Sequence, residues 1–240
     1  LSSLLHNPTS TGFIVSGGTE ANLLALIAAK KVKPTEHPEI ILPESAHFSF
    51  TKICNLLNLK PINVPLDEQY RVNPTDVQKL ITPNTIAIVG TAGTAELGAV
   101  DPIPALSNIA QANNVHLHVD AAFGGLIIPF LKQPQPFDFQ LTGVKTLTVD
   151  PHKMGMAAIP AGGILLRNPK MLDYLKTETP YLNSDHHYTF IGTRTGASAA
   201  SAWAVFKNLG FEGYRKTVTT CINNTQTLST NLKKAGFKLL

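Results

Sequence analysis

Val144-Lys145-Thr146-Leu147-Thr148-Val149-Asp150-Pro151-His152-Lys153-Met154-Gly155 is the stretch whose reading decides the fold. Its first half is apolar and β-branched, interrupted by one lysine and two threonines, and its second half is Pro, His, Lys and Gly. Such a run reads as a buried strand that ends in a tight turn. The turn holds a primary amine, Lys153, at the strand's C-terminal edge, which is where open α/β sheets keep their ligands. Burial and neighbouring cations make a lysine amine a nucleophile toward carbonyls. A lone lysine here is equally a surface residue of a loop, so its neighbours along the chain have to decide.

Short apolar runs alternate with helical patterns through most of the 240 residues. Phe13-Ile14-Val15 reads as a strand running into Ser16-Gly17-Gly18-Thr19, after which Leu23, Leu24, Leu26, Ile27 and Ala28 recur at helical spacing. Residues 1–12 read as a helix tail and a polar turn. Strands are expected over Glu39–Leu42, Pro61–Pro65, Thr85–Gly90 and Val115–Val119, with helices over Phe48–Leu57, from Asn73-Pro74 to about Leu80, and over Pro102–Asn113. Ile164-Leu165-Leu166 reads as an antiparallel strand returning along the sheet. Residues 178–190 have no period and read as a mobile loop. Ala197–Leu209 is a helix, and Gly210 starts a longer one to about Lys234. This alternation predicts a mostly parallel α/β sheet with its functional loops at the strands' C-terminal ends.

A chain with 43% hydrophobic and 15% charged residues has enough apolar material for a sizeable core. The net charge of +4 is scattered rather than clustered, which gives no case for nucleic acid. Cys54 and Cys221 stand alone, with neither a disulfide framework nor a zinc spacing, so a cytoplasmic setting is the default. No apolar run approaches the roughly 20 residues of a membrane span. The chain starts at Leu1 and enters core-like sequence quickly, so a piece of a longer protein, truncated at both ends, is expected.

Four chemical features fall at predicted strand exits. Glycines before the helix that starts near Gly18 leave backbone N–H groups free at a positive helix end, an anion site or else a simple tight turn. Asp120 closes the strand that ends at Val119 and enters Ala121-Ala122-Phe123-Gly124-Gly125; alone it is as well read as a helix cap or a structural ion pair. His47 and His152 sit at two other exits, where a lone histidine is commonly structural. Taken with Lys153, the set answers the needs of one cofactor, pyridoxal 5′-phosphate: a helix end for phosphate, a lysine for the aldehyde, a carboxylate for the pyridine nitrogen and a flat side chain to stack on the ring.

The segments SGGTEANLLAL (16–26), ESAHFSFTK (44–52), GTAGTAELGAVDPI (90–103), HVDAAFGG (118–125), VDPHKMG (149–155) and PAGGILLR (160–167) resemble, in order and spacing, the group II pyridoxal-phosphate decarboxylases of fold type I. IGTRTG (191–196) and LGFEGYR (209–215) are most similar to the archaeal-type tyrosine/aspartate decarboxylase branch. The resemblance implies a large domain over residues 1–209 with a mostly parallel seven-stranded sheet and helices on both faces, and a helix over 210–240 leading into a second, smaller domain. It implies Lys153 as the Schiff-base lysine, Asp120 at the pyridinium nitrogen, His47 stacked on the ring and Ala122 against its other face. Gly18 and Thr19 would hold the phosphate, with Thr94, Asp150 and His152 lining the same pocket. Asp150 is an awkward neighbour for an anion and is expected to bond to backbone or to His152. Ala95 stands where the family carries a hydroxyl residue, so Thr91 or Thr94 would have to replace it.

For the proton returned to Cα the candidates are Lys153, His152, Tyr181 and Tyr188. Arg194 fits a substrate carboxylate or a structural ion pair equally. The implied activity is α-decarboxylation of L-aspartate or L-tyrosine by a homodimer whose active site lies at the interface. The alternatives are a carbon–carbon lyase of the sphingosine-phosphate type, a glutamate decarboxylase and a non-catalytic cofactor carrier. A lyase needs cations for a second phosphate, of which no clear set stands near the motifs, and retention of Lys153, Asp120 and His47 together argues against a carrier.

Overall fold

A computed structural model describes residues 1–181 and 184–239. The element order is β1 (Thr11–Val15), α1 (Gly18–Val32), β2 (Glu39–Pro43), α2 (Ser49–Leu57), β3 (Lys60–Val64), α3 (Pro74–Lys79), β4 (Thr85–Thr91), α4 (Ile103–Ala112), β5 (His116–Asp120), β6 (Val144–Thr148), β7 (Gly162–Leu166), β8 (Thr177–Glu178), β9 (His186–His187) and α5 (Ala197–Lys234). Seven strands form one sheet in the order β1-β7-β6-β5-β4-β2-β3. Only β7 runs against the others, pairing antiparallel with β6 on one side and β1 on the other. The seven-stranded, mostly parallel sheet and the returning strand at 164–166 are as expected.

The sheet is covered on both faces, which is why β2, β4 and β5 are buried end to end. Alternate residues of a strand point to opposite faces. Ile41, Ile88, Leu117, Leu147 and Leu165 pack with Ile103 and Leu106 of α4. Ile40, Leu42, Ala87 and Val89 pack with Leu23 and Leu26 of α1 and Phe50 and Ile53 of α2. The remaining stripe of α1, Ala21, Leu24, Ala25 and Ala28, lies on Val15, Ile164 and Leu166 of the β1–β7 pair. This double use leaves α1 buried on two sides and fixes its N-terminus above the C-terminal ends of β5 and β6.

Three expectations change in detail. Residues 1–6 form turns rather than a helix tail: Leu5 N–H reaches Leu1 O at 3.0 Å, but His6 takes φ 57° and ends the turn there. The stretch 178–190 contributes a two-residue ladder, β8–β9; Leu182 and Asn183 lie outside the described residues. Gly210, with φ 57° and ψ −173°, breaks α5 where a second helix was expected to begin. Beyond it, among the described residues, only Tyr214 and Val218 are buried, against Phe130. Among the described residues no helix is long and apolar enough to cross a membrane.

Candidate active site

The exits of β1, β2, β4, β5 and β6 surround one cavity of about 690 Å³. Its lining includes Gly18, Thr19, His47, Thr94, Asp120, Ala122, Asp150, His152 and Lys153, so nine predicted site residues from five separate segments converge. Arg194 and Tyr181 do not join them. Arg194 is exposed, and its guanidinium donates to the Thr189 hydroxyl at 2.7 Å and to the Ile14 carbonyl at 3.3 Å. Tyr181 is 85% exposed. Tyr188, also considered as an acid, is stacked on Phe13. Arg194 and Tyr188 thus lie against β1, at Ile14 and Phe13.

Asp120 ends β5 with only 6% of its surface exposed, and two N–H donors hold its carboxylate. Ala122 N–H donates to Oδ1 at 3.1 Å, and the Asn22 amide donates to Oδ2 at 2.9 Å. His47 lies at the entry to α2, where the Ser49 backbone N–H donates to its Nδ1 at 3.2 Å and the Ser49 hydroxyl lies 2.9 Å away. Nδ1 is therefore an acceptor, and the ring hydrogen belongs on Nε2. Gly93 makes the turn after β4: its φ of 95° suits glycine, and a Cβ there would come within 3.1 Å of Gly124 N.

The turn after β6 gathers three titratable side chains, those of Asp150, His152 and Lys153. Lys153 Nζ lies 3.2 Å from Asp150 Oδ2 and 5.3 Å from the Phe123 ring centroid. The close charged neighbour of this lysine is thus a carboxylate and not a cation. His152 Nδ1 accepts from Ala161 N–H at 2.8 Å, which turns Nε2 toward Asp150 Oδ2 at 3.5 Å. Asp150 Oδ2 also accepts from Gly18 N–H, at 3.1 Å. Burial raises the Asp150 carboxyl above the usual range, with Lys153 and His152 opposing that rise. Backbone and His152 are the partners expected for Asp150; Lys153 is an addition. The same contact takes one of the helix-end donors expected to face phosphate.

Sequence reading missed Asn22, Ser49 and Glu20. Asn22 is 1% exposed and bridges α1 to β5 and β6. Glu20 binds the Ser16 backbone N–H at 2.8 Å and the Ile191 N–H at 3.1 Å, tying the 191–196 motif to the start of α1. Two polar residues inside the otherwise apolar helix pattern were the available signal, because a buried polar group needs a partner.

Behind Asn22 stand His116 and His118, which burial pushes down to about 3 from the ordinary 6.5. Between those values the unfolded chain binds protons that the folded chain does not. Stability is therefore complete above pH 6.5 and falls as pH drops toward 3, by about 1.4 kcal/mol per unit for each histidine. Urea unfolding of the full-length protein at pH 7.5, 6 and 5 is expected to show this loss. A midpoint unchanged over that range would contradict the buried neutral histidines.

The chemistry of the donor set can be tested against a phosphate-bearing aromatic aldehyde. Among the described residues the hydroxyls of Ser45 and Thr91 and Asp150 Oδ1 are buried without a hydrogen-bond partner, and all three residues line the cavity. At Gly18 an added Cβ would meet Asp150 Oδ2 at 2.9 Å, so the helix entrance is kept open. Thr94 Oγ1 accepts from Ala99 N–H but keeps its own hydroxyl hydrogen, and the Thr91 hydroxyl is unpartnered among the described residues, so both can stand in for the hydroxyl missing at Ala95. The set fits pyridoxal 5′-phosphate.

Sheet order, crossovers and cavity define an α/β protein of the fold type I pyridoxal-phosphate class. The glutamate decarboxylase of Lactobacillus brevis superposes with a TM-score of 0.90 at 25% identity, over 98% of this chain and 58% of that one. The sphingosine-1-phosphate lyase of Burkholderia pseudomallei gives 0.83 at 29% identity, over 91% and 54%. Residues 1–239 match the pyridoxal-dependent decarboxylase conserved domain, and the chain belongs to that family. A probable L-aspartate decarboxylase of Archaeoglobus fulgidus is 52% identical over 98% of this chain and 64% of its own length. A probable L-tyrosine/L-aspartate decarboxylase of Methanothermobacter thermautotrophicus is 50% identical over 100% and 67%. The chain thus spans about two thirds of these relatives.

Proposed function

We propose that the protein is a pyridoxal-phosphate-dependent amino-acid α-decarboxylase that acts on L-aspartate or L-tyrosine. The observation that carries the reading is the convergence of Lys153, Asp120, His47 and the α1 N-terminus on one cavity. The half-identical archaeal relatives carry aspartate and tyrosine decarboxylase names, which favours these substrates over glutamate and over a phosphorylated amino alcohol. When bound, the cofactor supplies an aldehyde for a lysine amine and a protonated ring that takes up the electron pair left by CO₂.

The residues then divide the work. Lys153 presents its amine to the cavity, held 3.2 Å from Asp150 Oδ2. With the cofactor bound, Asp120 would hold a proton at the ring nitrogen, His47 and Ala122 would enclose the ring, and the Gly18–Thr19 helix end, whose Gly18 N–H is already shared with Asp150, would receive the phosphate with Thr94 and the Thr91 hydroxyl beside it. Proton return to Cα falls to Lys153 or His152, since both face Asp150 within the cavity whereas Tyr181 and Tyr188 lie elsewhere.

Residues 1–209 would form the cofactor domain, and the helix after Gly210 would open a second one within 210–240. Phe48 lines the cavity yet is 62% exposed, which suits a homodimer that closes the site from outside. Two unbridged cysteines suit the cytoplasm.

The test is CO₂ release from L-aspartate, L-tyrosine and L-glutamate, measured in parallel on the full-length protein with the cofactor. Aspartate and glutamate differ by one methylene, worth roughly 10- to 200-fold. Release from aspartate or tyrosine is expected to exceed that from glutamate by at least about 10-fold. Glutamate as the fastest substrate, or no release from any of the three, would overturn the proposal.

A further inference from the structure

The Asp120 carboxylate stands at the end of a line of buried side chains that runs along the sheet beneath α1. His116 and His118 occupy one face of β5, Thr146 and Thr148 stand beside them on β6, and Asn22 reaches down from α1. His116 Nε2 lies 2.8 Å from Thr146 Oγ1, and Thr146 Oγ1 lies 2.9 Å from His118 Nδ1. His118 Nε2 lies 3.0 Å from Asn22 Oδ1, which also accepts from Thr148 Oγ1 at 2.6 Å. Asn22 Nδ2 donates to Asp120 Oδ2 at 2.9 Å and to Ser49 Oγ at 3.3 Å.

Every hydrogen in this line follows from the Asp120 end. A carboxylate oxygen facing a neighbour at this distance needs a donor, so Asn22 turns its NH₂ toward it and its Oδ1 away. Oδ1 only accepts, so His118 must carry its hydrogen on Nε2. Both imidazoles are neutral at pH 7, because burial pushes them down to about 3. His118 Nδ1 is then an acceptor for the single Thr146 hydroxyl hydrogen. Thr146 Oγ1, having given that hydrogen, accepts from His116 Nε2–H. All donors point one way, toward Asp120, and such chains polarise along their length.

We propose that Asn22 is a positioning residue: its amide, oriented by the one-way line His116–Thr146–His118, holds the Asp120 carboxylate in one orientation and weakens its pull on the proton at the cofactor's ring nitrogen. This rests on the cofactor reading above. Without Asn22 the carboxylate keeps, among the described residues, a single N–H donor, from Ala122. It becomes a stronger base and draws the proton from the ring nitrogen to itself.

The experiment uses the full-length protein labelled with ¹⁵N-histidine. Without cofactor, His116 and His118 are expected in the Nε2–H tautomer from pH 6 to 8. Either one as the Nδ1–H tautomer, or doubly protonated at pH 7, would overturn the proposal. With ring-¹⁵N cofactor bound, Asn22→Leu is expected to move the ring-nitrogen resonance toward its unprotonated position. In the same variant kcat should fall about 10- to 100-fold, with KM changed less than about 3-fold. Thr146→Val breaks the line two links away, touches neither Asp120 nor the cavity, and carries the test should Asn22→Leu fail to fold. It is expected to shift the resonance the same way and to lower kcat by about 2- to 10-fold. A folded variant with the wild-type ring signal and kcat would overturn the positioning role. Failure of the wild-type protein to bind cofactor would sink the proposed function, while the tautomers would still decide the line itself.

Discussion

Asp120→Ala is expected to lower turnover by about 1,000-fold or more in a protein that still folds. The substitution strips two N–H groups, those of Asn22 and Ala122, of their acceptor. Each orphaned buried donor costs about 1–3 kcal/mol, less than the stability of an ordinary domain. The functional loss is of another order, because no other carboxylate is held at the end of β5 to keep a proton on the ring nitrogen. Asp150, the other buried acid of the cavity, is engaged with Gly18, His152 and Lys153. Steady-state turnover beside far-ultraviolet circular dichroism checks the result, and a folded variant with wild-type turnover would contradict the role given to Asp120.

Replacement of Lys153 has the largest expected effect. Lys153→Ala removes the amine and leaves Asp150 with two partners, Gly18 N–H and His152. Lys153→Arg keeps a cation for Asp150 but offers no neutral amine, since a guanidinium stays protonated at any relevant pH. Both variants are expected to lose turnover by about 10,000-fold or more. The arginine variant should stay close to the wild type in denaturant midpoint, because the ion pair survives. Turnover retained by the arginine variant would mean that Lys153 serves as a charge and not as a nucleophile.

The contrast between Lys153 and Asn22 explains how much of this molecule could be read from its sequence. Lys153, Asp120 and His47 each stand at the end of a short apolar run, and a run reports its own end. A parallel sheet brings such ends to one edge, so the cavity's lining was legible before any contact was known. Asn22 sits within a helical pattern, and its partners depend on how closely α1 settles on β5 and β6. Periodicity reports which face is buried but not which atom it meets. The placement of Arg194 and Tyr181 outside the cavity lining was illegible for the converse reason. Their stretch has no period, and its path is set by contacts such as Glu20 with Ile191, which no local pattern encodes. Asp150 falls between these cases: its need for backbone or His152 followed from charge once the resemblance put it beside a phosphate, while its approach to Lys153 needed the turn's geometry.

Whether this cavity holds its cofactor through Lys153 is tested most directly by chemical trapping. The full-length protein is mixed with pyridoxal 5′-phosphate, reduced with borohydride, digested and read by peptide mass spectrometry. The expected result is a reduced cofactor adduct on the peptide bearing Lys153, lost in Lys153→Arg. An adduct on a different lysine, or none at all, would contradict it.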